Sequence, residues 1–280
     1  MHEPGDHATD LVDQVGQLDW YHTFDLPGGV TTPGMFDHRS FVAKLPLPSS
    51  MAGLRCLDAA SADGFFGFEM ARRGADVVSL DLPDHHQQDY WGAPKEHFAS
   101  VPLGRANRCF SIVRQATGLD VARVDGSVYD VEALGLGSFD LVFVGNILLH
   151  LEDPIRALRA LRTVTGGQLL SVEPISMPLT MLRPLTPCAQ FSLGDENTFW
   201  TGNLRGHRDL VRAGGFTVVR AGRPVLQPMG TMYAAWPGRT HLPRSLRELV
   251  YWGFTRRFGK ATSWVLATPD SSSESASADH

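Results

Sequence analysis

LRCLDAASADGFFGFEMARRGADVVSLD, residues 54–81, decides the fold. Leu54–Asp58 is a short apolar run, and a turn of small residues follows as far as Gly64. Phe65–Arg73 has helical spacing and stops at Gly74; Val77–Leu80 is a second apolar run, closed by Asp81. Strand, tight turn, helix and strand make half of a doubly wound nucleotide-binding sheet. In such a sheet the ligand lies across the carboxyl ends of parallel strands, and an acid ending the second strand accepts the ribose hydroxyls.

The turn itself narrows the ligand. Where a dinucleotide fold carries G-x-G-x-x-G, this chain has Ala60, Ser61, Ala62, Asp63 and Gly64, so one glycine remains for close backbone approach. No pyrophosphate needs a cradle here. That favours a nucleoside ligand without phosphates, and S-adenosylmethionine (SAM) fits.

Outward from this stretch, 280 residues can bury a sizeable core, and 43% hydrophobic against 20% charged residues is ordinary for a globular protein. Twenty-five Lys and Arg against 30 Asp and Glu give a net charge of -5, so no global basic field is present to hold nucleic acid. Cys56, Cys109 and Cys188 are odd in number and far apart, a pattern expected of reduced thiols in a cytoplasm, not of a disulfide framework or a zinc site. MHEPGDHATD lacks an apolar segment and no run of about 18 apolar residues occurs, so a soluble cytoplasmic protein with no membrane partner is expected.

Read in order, residues 1–50 hold a helix over Asp10–Trp20, after a loose start, and then an aromatic flap, Trp20–Arg39. A plain connector has little reason to carry Trp20, Tyr21, His22, Phe24 and Phe36, so the segment is expected to cover a site. Residues 51–223 form the cofactor-binding core. Its helices are expected at Arg105–Thr117, Pro154–Val164 and Leu204–Ala213, and its further strands at Val121–Val124, Phe139–Val144, Gln168–Val172 and Phe216–Arg220. Gly166 and Gly167 are expected to end the second of these helices. Glu173–Thr201 loses periodicity and reads as a lid. Residues 224–260, with a helix at Ser245–Phe254, read as a substrate-covering insertion; 261–268 hold the last core strand and 269–280 a disordered tail. The alternation is that of an open α/β sheet.

Each chemistry-bearing residue admits a plain reading as well. Asp81 is assigned to the ribose, with Leu82 beside it. Asp58 ends the first strand, where it orients the turn or receives the cofactor amine through water. Ala60, Gly64 and Phe65 form the close bed of the cofactor, Gly126 and Ser127 approach the adenine, and Asn146 follows the fourth strand. His150 is a general base or a histidine that bonds its own loop. Glu173 is a second base, an electrostatic stabiliser or a strand-end acid. His22, His38 and Arg39 suit a polar or anionic substrate, or are surface residues; Trp20, Tyr21, Phe199 and Trp200 shape the substrate pocket. Asp84, His85 and His86 look like a metal cluster, yet adjacent histidines are expected to point apart, so no metal is assigned. G-x-x-x-x-G-K-[ST], G-x-S-x-G and H-E-x-x-H are all absent.

With these residues in place, the sequence resembles class I SAM-dependent methyltransferases, and within them the branch related to the bacterial tRNA wobble-uridine carboxymethyltransferase, which uses carboxy-SAM. The stretches carrying the resemblance are WYHTFDLPGGVTTPG, LDAASADGFFGFEMARRGA with VVSLD, VDGSVYDVEALGLGSFDLVFVGNILLHLEDP and ENTFWTGNLRGHRDLVRAGGF, within residues 20–220. The resemblance implies a Rossmann-like open sheet and methyl transfer. It also departs at one place: the branch has a Tyr-His pair after the fourth strand whose tyrosine helps hold the extra carboxylate, and here the pair is Leu149 and His150. Leucine donates no hydrogen bond, so plain SAM is implied. The expected acceptor is a small molecule of secondary metabolism or of sugar and lipid modification. The alternatives are a tRNA-modifying enzyme of the same fold and a non-catalytic SAM-binding protein.

Overall fold

The computed structural model describes residues 4–90, 102–191, 197–235 and 253–271. Three strands follow the opening stretch as expected: β3 (Arg55–Ala59), β4 (Asp76–Asp81) and β5 (Val121–Asp125), all parallel neighbours. The chain then returns to the other side of β3 with β6 (Phe139–Gly145) and β7 (Thr165–Pro174), again parallel. Late strands β10 (Phe216–Ala221), β11 (Val225–Gln227) and β12 (Lys260–Pro269) complete an eight-stranded sheet of order β10-β12-β7-β6-β3-β4-β5, with β11 paired to β12. Among the described residues β12 alone runs against the others. Two short ribbons lie outside the sheet: β1 (Asp25–Leu26) with β2 (Val30–Thr31), and β8 (Ala189–Phe191) with β9 (Trp200–Gly202).

Central strands read as continuous apolar runs because both faces are covered. In β3 and β4 the alternation is visible: Cys56 and Val77 belong to the cluster under α2 (Phe65–Arg72) and α3 (Arg105–Thr117). Leu57 and Val78 belong to the opposite cluster, under α4 (Pro154–Val164) and α6 (Leu204–Ala213). Cys56, Cys109 and Cys188 are all free thiols. Burial pushes the first two up to about 12, which makes them inert packing residues.

Several expectations shift. The first helix, α1, is Pro4–Gly16 instead of Asp10–Trp20. Trp20 leaves it and sinks to 1% exposure, its indole N–H donating to the Val15 carbonyl at 3.0 Å. Gly166 and Gly167 do not end a helix; they open β7, which starts at Thr165. The reason is steric: a Cβ on Gly167 would stand 3.0 Å from the Asp140 carbonyl carbon and 3.1 Å from its Cα. Backbone cannot move aside as a side chain can, so Gly167→Ala is expected to cost about 1–3 kcal/mol in urea denaturation. A loss below about 0.5 kcal/mol would show that the strand relaxes freely there.

The lid region, Glu173–Thr201, contains regular structure among its described residues. It holds α5 (Met177–Leu182) and the β8–β9 ribbon. The insertion begins with β11 and a short α7 (Thr231–Ala235). The expected helix Ser245–Phe254 falls largely outside the described residues; within them a helical run is seen at 253–258. The last strand is longer than expected at both ends, and most of the 269–280 tail lies outside the described residues.

Candidate functional site at the strand ends

Strand order reverses at β3, with β4 and β5 on one side and β6 and β7 on the other. In open α/β sheets the crevice outside the carboxyl ends at such a switch point is where ligands bind. Here those ends are the turn Ala60–Gly64 and the Gly145–Asn146 corner.

The turn keeps the shape its missing glycines would give. Ala60 and Ala62 have φ of 60° and 51°, Gly64 has 88°, and Asn146 across the switch point has 55°. Left-handed backbone costs a non-glycine residue about 1–2 kcal/mol, so something must hold it. Asp81 and Arg123 do so. Ala62 N donates to Asp81 Oδ2 at 2.5 Å, Arg123 Nη1 donates to the Ala62 carbonyl at 2.7 Å, and Ser61 N donates to the Leu80 carbonyl at 3.1 Å. Arg123 Nη2 also stands 3.7 Å from Asp81 Oδ2. The Asp81 carboxylate is therefore engaged by the turn; burial raises its pKa although Arg123 opposes the rise.

Asp58 is buried and accepts from Gly67 N at 2.7 Å, bracing the first turn of α2, and burial raises its pKa to about 7. Phe65, the first residue of that helix, packs beside Phe66 in the buried aromatic cluster. Leu82 N closes on Asp81 Oδ1 at 2.8 Å. Gly126 N donates to the Asp81 carbonyl, and a Cβ there would meet Leu134 at 2.7 Å. Ser127 Oγ accepts from Tyr129 N at 3.1 Å, capping the short helix that follows β5.

Glu173, the residue before the last of β7, is 4% exposed. Its Oε1 accepts from Ile147 N at 3.1 Å and Leu148 N at 3.0 Å, so it fixes the corner after β6. Its Oε2 has no hydrogen-bond partner, and neither do the buried Asn146 Oδ1 and Ser61 Oγ. Burial raises the Glu173 pKa to about 8. His150 turns its Nδ1 to the Asn197 carbonyl, in the strap that also sends Phe199 N to the Leu149 carbonyl at 2.8 Å. Trp200 Nε1 donates to the Leu151 carbonyl at 3.1 Å. The loop-bonding alternative for His150 is thus realised at one ring nitrogen.

The flap is a packed wall more than a cover. Tyr21 N and His22 N both donate to Asp63 Oδ2 at 2.9 Å, and His22 Nδ1 meets Asp63 Oδ1. Burial and the carboxylates of Asp63 and Glu173 hold the Tyr21 phenol well above its usual range. His38 is 0% exposed, ringed by Phe36, Phe41, Phe65 and Phe66 and bonded to Gln227 at 2.6 Å. In this packing it has no surface to offer a ligand. Arg39 lies further out, its guanidinium bound to Asp37 and Asp25 at 2.6 Å each. A cavity of about 460 Å³ opens on that side, between Thr23, Thr32 and Arg39 of the flap and Met229, Tyr233 and Arg256 of the insertion. Of the residues expected to touch substrate, Arg39 alone lines it.

Sequence reading missed Asp63 and Arg123. Both had a signal: an acid inside a turn of small residues, and a cation inside the apolar strand VARVD, each of which needs a buried partner.

No protein-family model matches the chain, and no curated protein matches it. Solved structures do share its fold. The (4+2)-cyclase SpnF aligns over 95% of this chain and 93% of its own, with 15% identity and a TM-score of 0.53. A Galdieria sulphuraria protein described as a candidate sarcosine dimethylglycine methyltransferase aligns over 82% and 83%, with 16% identity and a TM-score of 0.51. A third, the 1,6-didemethyltoxoflavin N1-methyltransferase of Burkholderia thailandensis solved with S-adenosylhomocysteine, aligns over 78% and 72% at 14% identity and a TM-score of 0.49. The sheet is the Rossmann-like fold of class I SAM-dependent methyltransferases. Identities this low speak for the fold alone.

Proposed function

We propose that the chain binds SAM across the carboxyl ends of β3, β4 and β6 and transfers its methyl group to a small-molecule acceptor of the kind modified in secondary metabolism. One observation carries this reading: a left-handed turn at the switch point, faced by buried polar atoms without partners, Ser61 Oγ and Asn146 Oδ1. Such atoms suit a polar nucleoside ligand, and the absence of a multi-glycine cradle suits one without phosphates. When bound, SAM supplies an electrophilic methyl group on a sulfonium. Asp81 would accept from the ribose hydroxyls, Ser127 and Gly126 would border the adenine, and Glu173 would fix the corner at Asn146. His150, held through Nδ1, would present Nε2 to take the proton from a hydroxyl acceptor. The acceptor would enter from the flap side, where the cavity beside Arg39 lies. No helix among the described residues is long and apolar enough to cross a membrane, and a cytoplasmic location completes the reading.

The cyclase with the same fold makes direct tests necessary. Titration calorimetry with SAM is expected to show at least about a tenfold weaker affinity for Asp81→Ala. An unchanged affinity, in a variant whose melting temperature shows it folded, removes the ribose assignment. Labelled methyl transfer from SAM into a metabolite extract, followed by mass spectrometry, tests the reaction; SAM binding without any transfer would leave a binding protein.

A further inference from the structure

Asp84, His85 and His86 lie on the loop leaving β4, three to five residues beyond Asp81, and take no part in the strand-end site. Adjacent histidines would diverge on an extended strand, but this segment is not extended. Asp84 Oδ1 accepts from His86 N at 3.0 Å and closes a single 3-10 turn, His85–Gln87. The turn brings the two rings side by side, centroids 4.2 Å apart and tilted by 36°. The Tyr90 hydroxyl donates to the His85 carbonyl at 2.8 Å and braces the turn from outside. One carboxylate oxygen and two imidazole nitrogens thereby stand within 4.8 Å of one another, with Asp84 Oδ1 3.1 Å from His85 Nδ1.

We propose that this turn is a binding site for a divalent transition-metal ion, separate from the proposed cofactor site. Two imidazoles and one carboxylate are the donor set of zinc, nickel or copper; calcium and magnesium take oxygen donors almost exclusively. Zinc with bonds of about 2.0–2.1 Å places its ligands roughly 3.3–3.4 Å apart. The Asp84–His85 separation is already near that value. The His86 side chain is exposed, so the remaining gap falls to a rotation of that ring. Three protein ligands leave a further coordination position for water or a small ligand, as in metal sites that are not purely structural. The ion would sit at the rim of the crevice on the β4 side.

The test uses the full-length, untagged protein without SAM, titrated with zinc chloride by calorimetry and with cobalt chloride by visible absorption. One ion per chain is expected. His85→Ala and His86→Ala are each expected to weaken binding about tenfold or more. His86 is exposed and its variant should keep the metal-free melting temperature, whereas the His85 side chain is 16% exposed, so its variant is titrated at a temperature where melting shows it folded. Asp84→Asn keeps an oxygen to accept from His86 N and is expected to weaken zinc without unfolding the turn. Absence of stoichiometric binding overturns the site. So does equal binding by the His85→Ala/His86→Ala double variant, which would place the ion on some of the nine other histidines of the eleven in the chain. Because SAM is absent throughout, a negative result leaves the methyl-transfer reading untouched.

Discussion

Asp63→Ala is expected to destabilise the fold by about 3–5 kcal/mol, the cost of leaving several buried donors without their acceptor. Three donors converge on this carboxylate, which is 0% exposed: the backbone amides of Tyr21 and His22, and the His22 ring. Alanine would leave all three buried without an acceptor, and each such amide alone costs about 1–3 kcal/mol. The segment fastened in this way is the wall carrying Trp20, Phe24 and Phe36, so its loosening should also open the cofactor turn at Gly64. Urea denaturation and SAM calorimetry should fall together in this variant. Asp63→Asn should recover part of the loss, since its oxygen still serves the two amides. Burial pushes the Asp63 pKa up, but His22 outweighs it and holds the carboxyl below its usual range. A depressed folded-state pKa gives stability that is present above the unfolded value, near 3.9, and lost as pH falls through the lower folded value. The latch should therefore fail only in acid. An Asp63→Ala protein within about 1 kcal/mol of the parent would show that the flap is held by its aromatic packing alone.

The sheet was legible because its signals are local and periodic. Leu57, Val78, Val142 and Leu169 sit in continuous apolar runs that only doubly covered parallel strands need, and they are all buried. Arg105–Thr117, stopped by Gly118, was legible to the residue, and Pro154–Val164 kept its bounds although the glycine pair after it belongs to the next strand. Gly166 and Gly167 misled because a glycine pair after a helix also marks a strand that must pass close to a neighbour's backbone, and sequence does not show the neighbour. The flap misled in another way. Aromatic density marks burial as readily as ligand contact, and His38 turned out to be core. The alanines at 60 and 62 gave no sign of a glycine-like turn, because Asp81 and Arg123, from strands about 20 and 60 residues further on, impose that backbone from outside. Long-range polar contacts of this kind, Asp63 with His22 above all, leave no periodicity to read. The divergence expected of His85 and His86 failed for a related reason in miniature: the Asp84 cap closes a turn that sets the two rings side by side.

Glu173→Gln is expected to flatten the dependence of stability on pH. Burial raises the Glu173 pKa from 4.5 to about 8; the amides of Leu148, Ile147 and Leu149 pull the other way without overcoming it. Between those two values the native state holds a proton that the unfolded state has released. Stability therefore falls as pH rises through this window, and the full penalty, on the order of 4–5 kcal/mol, is reached at about pH 8. Asp58, raised from 3.8 to about 7, adds a loss of the same sign over a slightly lower range. Glutamine keeps an oxygen for the amides of Ile147 and Leu148 but never ionises. At pH 5 the variant should be level with the parent or slightly weaker, because its new amide N–H groups replace an Oε2 that has no partner. At pH 8.5 it should be the more stable of the two. Urea denaturation at pH 5, 7 and 8.5 reads the difference in slope, and parallel curves for parent and variant would show that Glu173 is already ionised at neutral pH. Glu173→Ala separates charge from support: it also removes the acceptor for the Ile147 and Leu148 amides, so it should be weaker than Glu173→Gln at every pH. That ordering matters for chemistry as well as for stability. A carboxyl that is neutral at pH 7 serves as a hydrogen-bond anchor for the corner at Asn146, and a methyl-transfer rate that survives Glu173→Gln but not Glu173→Ala would assign it that role over one as general base.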